Sequence, residues 1–563
     1  MRQSSVLCCI IVLVVILLLS SVSLGDAKLI VTDGTTYSLI PIGKNEAKWG
    51  CVVCTFIAGL ISQLKELHNI SAKKARGMFC GFFQGKDSLL CLLASSILFD
   101  RALPLIDKNY TADAICNTLS YCKNTECHLF PRKGDLLLVD SLRIKYQLSD
   151  TRIVNVCNFL PNICGSEDSQ KPYYDRDGDA FSTHPTKRGN NWRGRDCNDK
   201  DSTAYPGRDT LDDLKDENCN GIYGVDQVTG KTYEEMWCRY TGSMGVIAVG
   251  DSVTAHFGIP SKFVTVRELS REVFLNFSAI LENEFDWPML SSITGFANVS
   301  VYKPNREGNM VSVYSELLKR NKCNHRDYQN LGVNGAKTSM LSSIMDSVMR
   351  NRLEAVKPAF LYISMLGNDV CDGPDATTTP EWYYNNIISA LEKADARLPN
   401  GSHVFISPLS DGRILYDVMH NRTHPIGSLH NDVTYANFYD FLNCVDVSPC
   451  WGWLNTNETV RNATWTAAQL LNAQIPRILN ESVKKFTNIQ VHAFDDVIAG
   501  AMSLFDGPLW ELIEPVDGFH PSQHGAALLG EYLFNKTLEL GVVPPVNPFN
   551  NEIKKHFGDQ GGY

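Results

Sequence analysis

Gly245-Val246-Ile247-Ala248-Val249-Gly250-Asp251-Ser252-Val253 is a short apolar run that ends in a turn carrying a serine. An apolar run of this length bounded by glycines reads as a buried strand, and the chain after Val253 reads as a helix start. Open α/β sheets hold their sites just beyond the carboxyl ends of their strands, where Ser252 falls. Alone, Gly-Asp-Ser is weak, because a tripeptide recurs by chance. Its companions add weight. Tyr328 to Gly335 reads Tyr-Gln-Asn-Leu-Gly-Val-Asn-Gly and Ala359 to Asp369 reads Ala-Phe-Leu-Tyr-Ile-Ser-Met-Leu-Gly-Asn-Asp, each a strand running into a glycine turn. Further strands are expected over Val404–Ser407 and Gln490–Phe494, followed by Asp517-Gly518-Phe519-His520-Pro521 and a helix from Gln523 to Phe534.

In this order the blocks resemble the SGNH (GDSL) hydrolase family over residues 243–543. The resemblance implies a flavodoxin-like α/β domain with a parallel sheet. It also implies that Ser252 is the nucleophile, that His520 is the base taking its proton, and that Asp517 orients and stabilises the imidazole. The oxyanion hole would comprise the backbone N–H groups of Ser252 and Gly335 and the side-chain amide of Asn368, each worth about 3 kcal/mol in the transition state. Val253 stands where the family carries leucine, a packing position away from the chemistry. Taken singly, each residue has an ordinary reading as a turn former, cap or surface side chain; their joint order does not.

The remainder of the chain sets the context. At 563 residues it exceeds a single core, so a multidomain protein is expected. Hydrophobic residues at 44% and charged residues at 20% are ordinary for globular domains, and a formal charge of −10 disfavours nucleic acid as a partner. Residues 1–25 read as a signal peptide: Met1 and Arg2, an apolar run from Val6 to Leu19, then Ser23, Leu24 and Gly25. That run is short of the roughly 20 residues that span a bilayer, and no other stretch is apolar enough to span. Two of the eighteen cysteines, Cys8 and Cys9, fall inside the signal and leave an even sixteen, for which disulfides are the default in an oxidising lumen. Sequons at Asn69, Asn109, Asn276, Asn298, Asn400, Asn421, Asn457, Asn462, Asn480 and Asn535 agree with a secreted glycoprotein.

Between residues 49 and 123, Cys51, Cys54, Cys80, Cys91, Cys116 and Cys122 sit on segments of helical periodicity, with Val53, Phe56, Ile57, Leu60, Ile61 and Leu64 on one face. Six cysteines allow fifteen connectivities, and spacing does not choose among them. The pattern resembles an all-α saposin domain, which implies Cys51–Cys122, Cys54–Cys116 and Cys80–Cys91. The rival, a zinc site on Cys51 and Cys54, is disfavoured in an oxidising lumen. Saposin domains are helical clasps that expose an apolar interior to lipid, so a membrane or micelle surface is the implied partner. The bland alternative is a module that only stabilises its neighbour.

Residues 171–240 turn sharply toward Asp, Asn and Gly. The first cluster is Asp175-Arg176-Asp177-Gly178-Asp179, the second Asp196-Cys197-Asn198-Asp199-Lys200-Asp201, the third Asp216-Glu217-Asn218-Cys219-Asn220-Gly221, with Asp213 just ahead of it. Alternating carboxylates in tight turns suit Ca2+, which takes six to eight oxygens. One such string would be a solvated turn; three within about fifty residues argue for structural calcium. The set resembles the calcium repeats of thrombospondin-like proteins, which implies a Cys197–Cys219 bond and carbonyl ligands from Phe181 and Ile222. Glutamate is missing at the twelfth loop position, so these are not EF-hands. His420, His424 and His430 invite a metal reading too, but their Asp-, Asn- and Gly-rich surroundings read as a mobile surface loop.

A saposin module, calcium loops and an SGNH hydrolase in this order resemble a family of secreted lipases that act on bacterial lipopolysaccharide. The resemblance implies hydrolysis of secondary fatty acyl esters of lipid A. It further implies proteolytic processing of a precursor within residues 124–170, where Arg132 to Arg152 offers basic sites, leaving small and large chains joined by Cys127–Cys444. Cys157–Cys164, Cys238–Cys323 and Cys371–Cys450 complete the implied bonds, and secretion, secretory vesicles or the endolysosomal lumen the implied location. Two other functions compete. A carbohydrate acetylesterase on the same fold would have no need of a saposin module, and a lipid-transfer protein would have no need of the ordered triad.

Overall fold

The five apolar strand candidates line up side by side in a computed structural model, which describes residues 30–32, 36–38, 43–124, 126–130, 170–373 and 377–563. The expected signal segment 1–25, residues 131–169 with most of the expected processing region, and the expected Cys157–Cys164 bond lie outside the described residues. The strands are β1 (Gly245–Gly250), β2 (Tyr328–Gly332), β3 (Ala359–Ser364), β4 (Ser402–Ser407) and β5 (Ile489–Ala493). All pair in parallel, in the order β2-β1-β3-β4-β5. That is the flavodoxin-like winding, which reverses direction between β1 and β3 and opens a crevice beyond their carboxyl ends. The register keeps those ends level: Gly250 lies opposite Gly332 on one side and Ser364 on the other.

Side-chain alternation divides the sheet's two faces. Ile247, Val249, Leu331, Leu361, Ile363, Val404 and Ile406 belong to one buried cluster, and Val246, Ala248, Phe360, Tyr362 and Phe405 to another. Both faces are covered, which is why β1 and β3 read as continuous apolar runs rather than alternating ones.

The N-terminal module is all helix: α1 (Gly43–His68), α2 (Ala72–Gly81), α3 (Lys86–Phe99), α4 (Leu103–Asp107) and α5 (Ala112–Thr118). Ser71 and Thr111 cap α2 and α5 by accepting the N–H groups of Lys74 and Ala114. Cys51–Cys122, Cys54–Cys116 and Cys80–Cys91 staple the helices. Against the expectation that only the leader is apolar enough, Gly50–His68 reaches the length and hydropathy of a membrane span; its burial marks it as a core helix. The core is shared with the hydrolase. Val52, Phe56 and Ile61 join one apolar cluster with Phe263, Phe274 and Phe438. Phe83 lies 4.5 Å from Phe274, ring to ring, and Cys127–Cys444 ties the two regions covalently. On the same module Leu89 and Leu92 of α3 are exposed.

Residues 170–232 contain neither helix nor extended strand and wrap the outer edge of β2. Arg193 bridges to Gln329, the N–H of Gly194 donates to the Tyr328 carbonyl at 2.9 Å, and that of Asn330 to the Trp192 carbonyl at 2.7 Å. This covers one edge that would otherwise present unpaired backbone groups. Cys197–Cys219, Cys238–Cys323 and Cys371–Cys450 are bonded. All ten sequon asparagines are exposed.

Candidate active site

β1 ends at Gly250, where any side chain would collide with Thr254 Oγ1 and the Ser364 carbonyl, so the turn requires glycine. Ser252 then opens a short helix, Ser252–Ala255, capped by Asp251, which accepts the Val253 N–H. The other Asp251 oxygen accepts the N–H of Leu366 at 2.8 Å and locks the β1 turn to the β3 turn. Burial pushes the Asp251 carboxyl up to about 6.

From the far end of the chain, the turn before the helix Gln523–Glu539 delivers His520 and Asp517 to the same point. His520 Nε2 lies 2.7 Å from Ser252 Oγ, and His520 Nδ1 lies 2.6 Å from Asp517 Oδ2. The second Asp517 oxygen accepts the N–H groups of Phe519 and His520 at 2.8 and 3.1 Å. All three side chains are buried. Phe257 packs against the His520 ring at 4.8 Å. Gly518 holds a left-handed φ of 62° with Tyr439 and Tyr435 pressed against it, so the turn tolerates no side chain there.

The cavity over Ser252 is mostly apolar, lined by Leu366, Ile414, Trp453, Ile498, Met502 and Leu529, with Asn368 at its wall. Asn368 Nδ2 donates to the Ala336 carbonyl at 3.0 Å, leaving the second amide hydrogen for another acceptor. Gly335 lies in the turn after β2 with φ 72°. Among the described residues neither the Ser252 nor the Gly335 N–H has an acceptor. A serine hydroxyl on an imidazole that is backed by a carboxyl group, beside uncommitted donors, has the parts for acyl transfer.

Several supporting groups were not legible in the sequence. Arg306 pairs with Glu514 and donates to the Gly258 carbonyl, all buried, while the Glu514 N–H donates to the His520 carbonyl at 2.7 Å. Burial raises the Glu514 carboxyl to about 7 although Arg306 pulls the other way. His256 is buried against Gln523 Oε1 at 2.8 Å, and burial drives its pKa down to about 3, which keeps it neutral. A buried Arg–Glu pair more than two hundred residues apart leaves no local sequence signal.

The acidic loops gather as two overlapping groups, Asp175–Asp177–Asp199 and Asp177–Asp179–Asp196, that could hold a metal ion. Burial and neighbouring carboxylates push Asp179 up to about 8 and Asp196 to about 6. Asp177, Asp179, Asp196 and Asp216 each keep a buried oxygen with no hydrogen-bond partner among the described residues. Such oxygens suit a hard cation. Phe181 and Ile222 are fully buried, their N–H groups turned onto Asp179 and Asn220, and Asn198 is exposed with its N–H on Asp196.

Two of the expected ligands stand outside these two groups. Asp213 is exposed; its neighbour Asp212 is the one turned inward, with Glu234 close to Asn218 and Asn220. Asp201 accepts from Thr203 and faces Lys215 rather than joining the first groups. The histidines do not form a mobile loop either: His424 is fully buried, because aromatic side chains from two regions close over it, and His430 faces Glu66 of α1 at 3.1 Å.

Residues 246–533 match the GDSL-like lipase/acylhydrolase family and residues 50–166 the saposin-like domain. A rabbit (Oryctolagus cuniculus) protein named acyloxyacyl hydrolase is 40% identical over 547 residues, covering 91% of this chain and 93% of that one. The human (Homo sapiens) protein of the same name is 38% identical with the same coverage. Among solved structures, a Clostridium thermocellum family 3 carbohydrate esterase aligns with 53% of this chain and 96% of its own at 13% identity and a TM-score of 0.23.

Proposed function

Because the chain belongs to the acyloxyacyl hydrolase family of ester hydrolases, we propose that it releases secondary fatty acyl chains, those esterified to hydroxyls of other acyl chains, from the lipid A part of lipopolysaccharide. The observation that carries the reading is the unbroken hydrogen-bonded line from Ser252 Oγ through His520 to Asp517 beneath an apolar cavity. Ser252 Oγ attacks the ester carbonyl carbon as its proton passes to His520 Nε2. Asp517 holds Nδ1–H and stabilises the imidazolium. The tetrahedral oxyanion is met by the N–H groups of Ser252 and Gly335 and by the free amide hydrogen of Asn368. Collapse expels the hydroxyl of the neighbouring acyl chain, which takes the proton from His520. A water deprotonated by His520 then attacks the acyl-serine, releases the fatty acid and restores Ser252.

Bringing such a chain into water costs about 0.8 kcal/mol per methylene, so about 10 kcal/mol for fourteen carbons. The helical module, continuous in its core with the hydrolase and carrying exposed Leu89 and Leu92, supports a lipid surface against which neighbouring chains stay dry. Structural Ca2+, held by Asp175, Asp177, Asp179, Asp196 and Asp199, supplies the charge that the acidic loops lack. The proposal includes secretion, removal of residues 1–25, and cleavage within 124–170 that leaves two chains joined by Cys127–Cys444.

Incubating the protein and its Ser252→Ala variant with lipopolysaccharide and, separately, with an acetylated glycan tests the reading. Free long-chain fatty acid from lipopolysaccharide, absent with the variant, is expected. Acetate release with lipopolysaccharide intact would make it a carbohydrate acetylesterase, and binding without hydrolysis a lipid carrier.

A further inference from the structure

The turn that carries Asp517 is held from outside by three side chains of one aromatic cluster. His424 Nε2 lies 2.7 Å from the Val516 carbonyl, Tyr439 donates its hydroxyl to the Gly518 carbonyl at 2.7 Å, and Tyr435 donates to the Pro515 carbonyl. The Ile426 N–H donates to His424 Nδ1 at 3.2 Å, which assigns the hydrogen to Nε2 and makes His424 a donor to Val516. Burial, which drives the His424 pKa down to about 4, keeps the ring neutral. The ring stacks on Phe438 at 4.2 Å and meets Phe56 of α1 edge-on at 6.4 Å. Gln63, two helical turns beyond Phe56, donates to the Ile426 carbonyl at 2.8 Å. The helical module and the triad turn therefore both contact one buried imidazole.

We infer that His424 is a positioning residue through which the saposin-like module sets the triad: it donates to Val516 and is itself braced by Phe56, so contacts made by α1 fix where Asp517 stands. The inference rests on the triad reading above. His424 does not line the cavity over Ser252, so its loss acts on turnover and not on binding.

The test uses the full-length protein and a short soluble ester, p-nitrophenyl butyrate, so that lipid engagement plays no part. His424→Leu is expected to lower kcat about 100-fold with KM unchanged, the scale of a misplacement of about 1 Å in a catalytic group. His424→Gln, which restores an N–H near the Nε2 position, is expected to recover most of it. Phe56→Ala should lower kcat in the same direction by less. Should His424→Leu fail to fold, Tyr439→Phe, which removes only a hydroxyl from the same turn, should show the same loss in kcat alone. Folded His424→Leu or Tyr439→Phe protein with wild-type kcat, or His424→Gln as impaired as His424→Leu, would overturn the inference. Wild-type kcat in Phe56→Ala would overturn the reach of the module. Asp517→Asn separates the two readings: if it retains activity the triad fails, whereas if it is inactive while His424→Leu is not, only this inference fails.

Discussion

Behind His520 the Asp517 carboxylate is enclosed by donors that the chain itself supplies: the His520 ring and two backbone N–H groups. In the acidic loops Asp177, Asp179 and Asp196 are likewise turned inward, yet each keeps an oxygen without a protein donor, and their carboxyls are crowded together. A buried carboxylate is costly unless paired. The first region is complete as a polypeptide, and its residues act on a substrate. The second gathers oxygens that a cation would satisfy, and by the proposed reading its residues act on stability.

Activity and stability should therefore fail separately, and the largest expected effect lies in the first region. Ser252→Ala and His520→Ala should each lower kcat by about 10^6-fold and Asp517→Asn by about 10^4-fold, with secretion and melting temperature preserved. Rates of fatty acid release and thermal melts on the same samples check this. Near-normal turnover in any of the three would remove the assignment.

The next effect belongs to the loops. Stripping bound cation with excess chelator should lower the melting temperature by about 5–10 °C, since ligand that binds only the folded state stabilises it by mass action. Asp177→Ala or Asp199→Ala should reproduce most of the drop and leave the chelator little to add. An unchanged melt in demonstrably stripped protein would return the loops to solvated turns.

What could be read in the sequence follows the same division. The triad turn and the strand ends were legible because their chemistry is local: Gly250 and Gly518 sit where no side chain fits, and Asp517 lies three residues from the histidine it holds. The sheet was legible because Val246–Val249 and Ala359–Ile363 are buried on both faces. Long-range partners were not. Glu234 reaches the third acidic cluster from the separate helix Tyr233–Trp237, and Asp212 and Asp213 are indistinguishable as letters although only one is buried. His424 reads as part of a polar loop because the rings that bury it, Phe56 and Phe438, lie in other segments. The shared core of α1 and the hydrolase is equally silent in one dimension. It also means that deleting residues 49–123 would strip a packed face, so point changes are the cleaner probes of the module.

Asp113 of α5 is a further buried carboxyl: it accepts the N–H groups of Leu129 and Phe130 at 2.8 and 2.9 Å, and burial raises it to about 6. A carboxyl raised on folding contributes stability that is complete below its unfolded value of 3.8 and is lost as pH rises through about 6. Asp113→Asn does not titrate. The wild-type advantage in melting temperature over Asp113→Asn should therefore shrink by a few degrees between pH 4 and pH 7. An advantage that grows with pH would reverse the assignment of burial as the dominant influence.

The central claim, that Ser252 cuts acyloxyacyl esters of lipid A, is tested most directly by identifying which chains leave. Purified protein is incubated with lipopolysaccharide, and the residual lipid A and the released acids are analysed by mass spectrometry. The account predicts that chains carried on the hydroxyls of other acyl chains appear as free acids, that chains bonded directly to the sugars remain, and that Ser252→Ala releases neither. Loss of the sugar-linked chains, or intact lipid A after long incubation with protein active on a soluble ester, would contradict it.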